Sequence, residues 1–465
     1  MADAYPESTF VGIDLSERQI GEGLESVQAL GLKNIALRRL GILDVGSDLG
    51  QFDYIICHGV FSWVPAEVRD KILSICRDNI SPNGVAYVSY NTYPGWRMRE
   101  IIRDALRYHT KPFSDPATRI RQAKAILDFL SESIPTAERA YGMIFKSEID
   151  LLRGCPDSYL FHEHLEDVND PIYFEQFVEQ AKTKGLQYLS EARVATTTFG
   201  RVMPAHIRST INLIAADLIA MEQYFDFLSN RPFRKTLLCR QEIAIKRSLS
   251  WEAVRGLHVA TNLRPKNAEP KIAEDSPETF TSAAGDTVSS SNPIIKAAFW
   301  LLGRIWPQSM RFEALVKAAS ECLPAALPPS LKDSQAVGEM LLQSFLSGVV
   351  HFSLSPSTCI ATVSERPQAS GISRFQAGRG MSITNRKHIT IDSLNDVDRH
   401  VLRHLDGTRD RCALLATLLD AYQRGLLVRN SDGELVSDRA RLESRLNQAL
   451  DESLRCLAGK AFLIA

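Results

Sequence analysis

The chain has 465 residues and a formal net charge of −1, with 45% apolar and 23% charged residues. That length exceeds one core and predicts three domains at roughly 100–200 residues each; the near-neutral balance argues against nucleic acid as a partner. No apolar run of about 18 residues predicts a membrane span, and the opening MADAYPESTF lacks the basic start and apolar core of a signal peptide.

The eight cysteines are scattered without a CxxC pair, which argues against zinc and against a disulfide framework. They are expected to be buried thiols in a reducing, cytoplasmic setting. Strands and helices then alternate over the first hundred residues. Thr9 to Leu15 reads as a buried strand. Ser16 with Gln19 three residues later has the form of a capping box, opening a helix that stops at Gly31. Asn34 to Leu40 is a weaker strand and Phe52 to Cys57, FDYIIC, a strong one. Pro65 to Asn79 is a helix with Val68, Ile72, Ile75 and Cys76 on one face. The turn Ser81-Pro82-Asn83-Gly84 is expected to end it, followed by the strand Val85 to Tyr90. This alternation predicts parallel pairing in a doubly wound α/β sheet.

From Arg97 to about Arg153 the pattern is helical. Pro171 to Ala192 reads as a helix and then the strand GLQYLSEA, a late antiparallel member of the same sheet, and Ile211 to Leu228 as one helix. The stretch from Pro265 to Asn292 is a candidate boundary in which Gly285-Asp286 can turn a small hairpin. Asn292 caps a helix beginning at Pro293. Two successions of helix, helix and short β follow, which suggests winged-helix-like modules. The expected domains are residues 1–200, a helical middle region and linker over 201–292, and C-terminal modules over 293–465.

In a doubly wound sheet ligands bind at the carboxyl ends of the strands. Asp14 ends the first visible strand, where a carboxylate can accept both hydroxyls of a ribose; the plain alternative is a helix-capping aspartate. The segment Leu40 to Asp44 can lie along an adenine edge or be an ordinary connector. His58-Gly59-Val60-Phe61-Ser62-Trp63-Val64-Pro65 brings two aromatics to a strand-to-helix loop, suited to a flat or cationic ligand or to capping the core. Gly21 and Gly23 fall inside a predicted helix, a poor place for a dinucleotide turn. His162 and Glu166 share a helix face, but two ligands are not a metal site, and no metal is expected.

VGIDLS (Val11 to Ser16), FDYIICHGVFSWVP (Phe52 to Pro65) and GVAYVSYNTYPGW (Gly84 to Trp96) resemble consecutive segments of class I S-adenosylmethionine (SAM) dependent methyltransferases. Tyr159 to Ala192 resembles the regulatory domain of one subgroup, and Ile383 to Arg411 its C-terminal module. That subgroup includes protein-lysine methyltransferases that modify outer-membrane proteins in rickettsia-like bacteria. The resemblance implies SAM as cofactor and a protein side chain such as lysine as acceptor, with a homodimer left open. It places Asp14 and Leu15 at the ribose, Gly41 and Ile42 along the adenine, and His58, Gly59 and Trp63 at the methionine part. Tyr90, Asn91, Tyr93 and Trp96 would line the acceptor side; no catalytic base is assigned. The family has a strand and a glycine-rich turn before VGIDLS, and neither precedes Asp14 in this sequence. The sheet is therefore expected to lack its first strand and the chain as it stands to bind SAM weakly. A catalytically inactive scaffold is the alternative function.

Overall fold

The computed structural model describes residues 1–134, 140–197, 204–324, 330–380, 382–426 and 439–465. They divide into two compact units, one formed by residues 1–39 with 248–465 and the other by 40–247.

The chain opens with β1 (Phe10–Asp14), α1 (Glu17–Ala29) and β2 (Ile35–Arg39). The two strands run parallel, with Phe10 opposite Ile35 and Asp14 opposite Arg39. Ser16 is the N-cap of α1, its hydroxyl accepting from the Gln19 amide at 3.3 Å, so an orphan donor of the first turn is satisfied. Gly21 and Gly23 lie within α1.

The 40–247 unit begins with β3 (Phe52–Cys57), α2 (Ala66–Asp78) and β4 (Ile80–Asn91). Four helices follow: α3 (Trp96–Thr110), α4 (Pro116–Ser133), α5 (Ala140–Arg153) and α6 (Asp157–Leu165). Next come α7 (Phe174–Thr183), β5 (Leu186–Glu191), α8 (Ala205–Ile214), α9 (Leu218–Ser229) and β6 (Phe233–Arg240). The sheet order is β3-β4-β6-β5; β3 and β4 are parallel, and β6 is antiparallel to both its neighbours. Strand alternation turns Ala86, Val88 and Tyr90 of β4 to one face, where they share a core with Ile72, Leu73 and Cys76 of α2 and Phe174, Phe177 and Val178 of α7. Helices α3 to α6 build a second core around Ile102, Leu106, Leu127, Phe145 and Leu160. Among the described residues β1 bonds only to β2, and β3 only to β4. Apolar side chains of β3 stand in solvent accordingly, Tyr54 at 70% and Ile56 at 55% exposure.

The rest of the first unit continues with β7 (His258–Ala260), β8 (Arg264–Pro265), β9 (Glu278–Thr281), β10 (Thr287–Ser290) and α10 (Pro293–Ile305). β11 (Met310–Arg311), α11 (Phe312–Glu321), α12 (Leu331–Leu346) and β12 (His351–Ser353) complete one helical module. α13 (Gly371–Gly378), β13 (Ile383–Thr384), β14 (Thr390–Ile391), α14 (Asp396–His404), α15 (Arg411–Gln423) and α16 (Arg439–Gly459) form the last. The hairpin around Gly285 is present, with β9 and β10 antiparallel and Gly285 at φ +90°. Asn292 caps α10, its side chain accepting from the Ile294 amide at 3.1 Å.

Four sequence expectations are corrected. The Ser81–Gly84 turn does not precede its strand but bulges from within it. The ladder steps from Phe52 opposite Ile80 to Tyr54 opposite Val85, and Ser81 Oγ donates to Asp53 Oδ1 at 3.0 Å. The helix expected over 211–228 is two helices, because Asp217 stands extended and caps the second through the Ala220 amide. The apolar face of α2 uses Leu73 rather than Ile75. Cys322 and Cys412 are exposed rather than buried.

Candidate active site

Asp14 closes β1 with its side chain exposed, and its Oδ1 accepts from the Ser16 amide at 2.7 Å. The cap of α1 is Ser16, so Asp14 is not the helix cap; it braces the residue that is. Leu15 beside it is exposed. Both belong to the 1–39 segment of the first unit.

The other candidates lie in the 40–247 unit. Gly41 is extended and precedes a 3-10 turn over Ile42–Asp44. Past the end of β3, His58 Nδ1 lies 2.8 Å from Ser89 Oγ and 3.1 Å from the Tyr87 hydroxyl. The Gly59 amide donates to Ser89 Oγ at 2.8 Å. Ser89 thus receives one proton and has its own to offer His58 Nδ1, which suits the neutral ring. Partial burial, then the charge of Lys235, lowers the His58 pKa and favours that same form. Gly59 sits at φ +69°, a conformation that glycine adopts without strain.

The aromatics divide into core and rim. Phe61 and Tyr90 are buried and meet Phe177, Phe61 edge-on at 5.3 Å and Tyr90 stacked at 4.1 Å. Trp96 is fully buried and lies edge-on to the half-buried Trp63 at 6.3 Å, while Trp63 packs on the His162 ring at 4.5 Å. Asn91, at the end of β4, receives Ser62 Oγ as the acceptor of its amide at 2.9 Å and donates from Nδ2 to Asn169 Oδ1 at 3.0 Å. Asn169 Nδ2 is a buried donor with no protein acceptor.

Tyr93 follows, half-buried. Its hydroxyl donates to Glu100 Oε1 at 2.5 Å. The Arg97 guanidinium carbon sits 3.7 Å from the Tyr93 ring centroid, and its Nη1 lies 3.2 Å from Glu100 Oε2. Tyr173 lies 5.3 Å from Tyr93 between ring centroids, and Phe227 a further 5.9 Å from Tyr173. Burial first and the bond to Glu100 second raise the Tyr93 pKa, so the phenol stays protonated. Sequence reading missed Glu100, Arg97, Tyr173 and Phe227. Arg97 and Glu100 do stand at helical i, i+3 spacing directly after the aromatic turn, a signal that was available.

The turn holding Tyr93 is pinned against the two residues that lead into β6. The Gly95 amide donates to the Arg231 carbonyl at 3.1 Å, and a Cβ on Gly95 would fall 2.4 Å from the Pro232 nitrogen. Since backbone atoms are what it would strike, Gly95→Ala is expected to cost about 1–3 kcal/mol of stability, the scale of an overpacked site. Urea denaturation checks this, and a shift of under about 0.5 kcal/mol, the range of ordinary surface changes, would contradict it. His162 belongs to α6 and Glu166 is its C-cap. Among the described residues no group of three or more His, Cys, Asp or Glu can hold a metal ion.

A parallel β1–β2 pair with an exposed acidic residue at the end of β1, and a separate, partly parallel sheet with a histidine-glycine-aromatic loop after β3, are features of class I methyltransferases, whose methyl donor is SAM. The comparisons agree over the whole chain. Family models match as a methyltransferase domain over residues 1–86, a predicted methyltransferase regulatory domain over 156–240 and a PKMT C-terminal winged helix domain over 365–462. RP789 of Rickettsia prowazekii (strain Madrid E) is 32% identical across 99% of this chain and 83% of its own length. The solved structure of PKMT2 from Rickettsia typhi is 30% identical and superposes with a TM-score of 0.88, covering 100% of this chain and 91% of PKMT2. A second structure of PKMT2, in complex with AdoHcy, superposes with a TM-score of 0.87. The chain belongs to this family of methyltransferases with a regulatory domain and a PKMT winged helix domain.

Proposed function

We propose that the chain is a SAM-dependent protein methyltransferase whose acceptor is a lysine side chain. The observation carrying this reading is the likeness, over its full length, to a PKMT that has been seen with AdoHcy. Each unit by itself offers groups suited to such a ligand: the first an exposed carboxylate at Asp14, the second a neutral imidazole at His58 and an unpartnered buried amide donor at Asn169.

SAM, when bound, supplies an electrophilic methyl group. Asp14 is assigned to the ribose hydroxyls, with Leu15 beside it. Gly41 and Ile42 are assigned to the adenine edge, and His58, Gly59 and Trp63 to the methionine portion. Asn91 and Tyr93 hold the acceptor, while Tyr90 and Trp96, buried beneath them, fix their positions. The acceptor nitrogen must lose its proton before it attacks, and no base is assigned to take it. The rest of the rate comes from holding the nitrogen in line with the methyl group and its sulfur.

Asp14→Ala is expected to weaken SAM binding by about 1.5–3 kcal/mol, the scale of a hydrogen bond to a charged group. Calorimetric titration of wild type and variant measures it, and equal affinities would remove Asp14 from the site.

A further inference from the structure

The cluster at Tyr93 contains a cation already. Arg97 lies over the face of the Tyr93 ring at 3.7 Å and pairs with Glu100 at 3.2 Å, while the Tyr93 hydroxyl holds the other Glu100 oxygen at 2.5 Å. An aromatic face backed by a carboxylate is a receptor for an ammonium or guanidinium ion. Tyr173, beside the Tyr93 ring, supplies a second aromatic wall.

Arg97 is held there by the Tyr93 ring, by Glu100 and by a hydrogen bond to Tyr173. It is the second residue of α3, where the helix dipole disfavours a cation. Its side chain is 56% exposed, against 28% for Glu100, so it can swing into solvent without uncovering a core. An exposed ion pair and an exposed cation–π contact are both weak. Glu100, by contrast, is half-buried and accepts from the Tyr93 hydroxyl at 2.5 Å.

We infer that Arg97 is a placeholder for the cationic acceptor: its guanidinium fills the cradle of Tyr93, Tyr173 and Glu100 that takes the acceptor's ammonium, and the acceptor enters by displacing it. This rests on the reading of the β4 end as the acceptor side. It concerns capture of the cation and not the transfer step. It makes Arg97 a determinant of acceptor affinity and Glu100 the anion that selects a charged side chain.

The test uses the full chain and a blocked amino acid, N-acetyl-trimethyllysine amide, with N-acetyl-norleucine amide as the uncharged control, bound without turnover and followed by ligand-observed NMR. Arg97→Ala is expected to tighten the cationic probe about three- to tenfold, the displaced contacts being weak ones. Glu100→Gln should weaken it about tenfold, and neither should change the norleucine probe. Arg97→Gln repeats the first result with a side chain of similar length. Cationic probe binding no tighter in either Arg97 variant than in wild type overturns the placeholder, as does an equal gain by norleucine. Lysine methylation by wild type with no such tightening overturns the placeholder alone. Tightening in a protein that methylates a residue other than lysine supports the cradle and removes the lysine reading instead.

Discussion

Replacing Arg234 by methionine is expected to remove about 3–5 kcal/mol from the stability of the 40–247 unit, the cost of stripping one partner from a buried ion cluster. Arg234 is fully buried in β6. It donates to both Asp226 oxygens at 2.8 Å, to Glu191 Oε1 at 2.9 Å and to Glu222 Oε2 at 3.2 Å, with its guanidinium 3.7 Å from the Phe174 ring centroid. Arg231 adds a second cation 3.1 Å from Asp226. Three carboxylates carried by β5 and α9 therefore converge on the guanidinium of one strand residue. Without it they remain desolvated and repel one another. Arg234→Lys should recover little, since one ammonium cannot span the same fork of acceptors. Urea unfolding followed in the wild type and both variants gives the comparison, and a loss of under about 1 kcal/mol, the worth of a surface pair, would show the cluster to be peripheral.

The second large effect is acid sensitivity through His164. The ring is buried in α6 beside Trp96 at 6.4 Å, and its Nδ1 has no hydrogen-bond partner. Burial, then the charges of Arg99 and Arg103, push its pKa down to about 3. An unfolded histidine titrates near about 6.5. Between these values the unfolded chain binds a proton that the folded one refuses, so the native state loses ground as pH falls below about 6.5. At about 1.4 kcal/mol per pH unit, the loss should be on the order of 2 kcal/mol by about pH 5 and grow until about pH 3. The measurement is urea midpoint against pH for wild type and His164→Leu. The leucine variant should lose that part of the slope, and identical slopes would place the acid sensitivity elsewhere.

These two sites mark where sequence reading stopped. FDYIIC was legible as β3 because every residue but Asp53 is apolar, and Ser16 with Gln19 was legible as the start of α1 because capping is local. FRKTLLCR was not read as β6, although it runs between β4 and β5. An arginine facing the core looks like a surface residue until its partners, at positions 191, 222 and 226, are brought to it by the fold. The break between α8 and α9 had a local signal in Asp217 ahead of an apolar run, and the run of apolar residues on both sides hid it.

That the candidate residues follow strand ends was legible; what surrounds each of them was not. The loop from His58 to Pro65 and the turn from Tyr90 to Trp96 do end neighbouring parallel strands, as the alternation of strands and helices required. Whether an aromatic in such a loop touches ligand or core depends on side-chain direction, which spacing does not set. Phe61 and Trp96 are buried, while Tyr93 is half-buried beside Arg97 and Glu100. Those two charged neighbours carry no distinctive motif, and their role follows only from their geometry around one ring.

Methyl transfer from SAM to lysine is the proposed function. Its most direct measurement is peptide mass spectrometry of a lysine-bearing acceptor protein incubated with the full chain and saturating SAM, alongside a reaction without enzyme. Added methyl groups on lysine Nζ that depend on both the chain and SAM are expected. Methyl groups confined to other side chains, or none above the control, would contradict it.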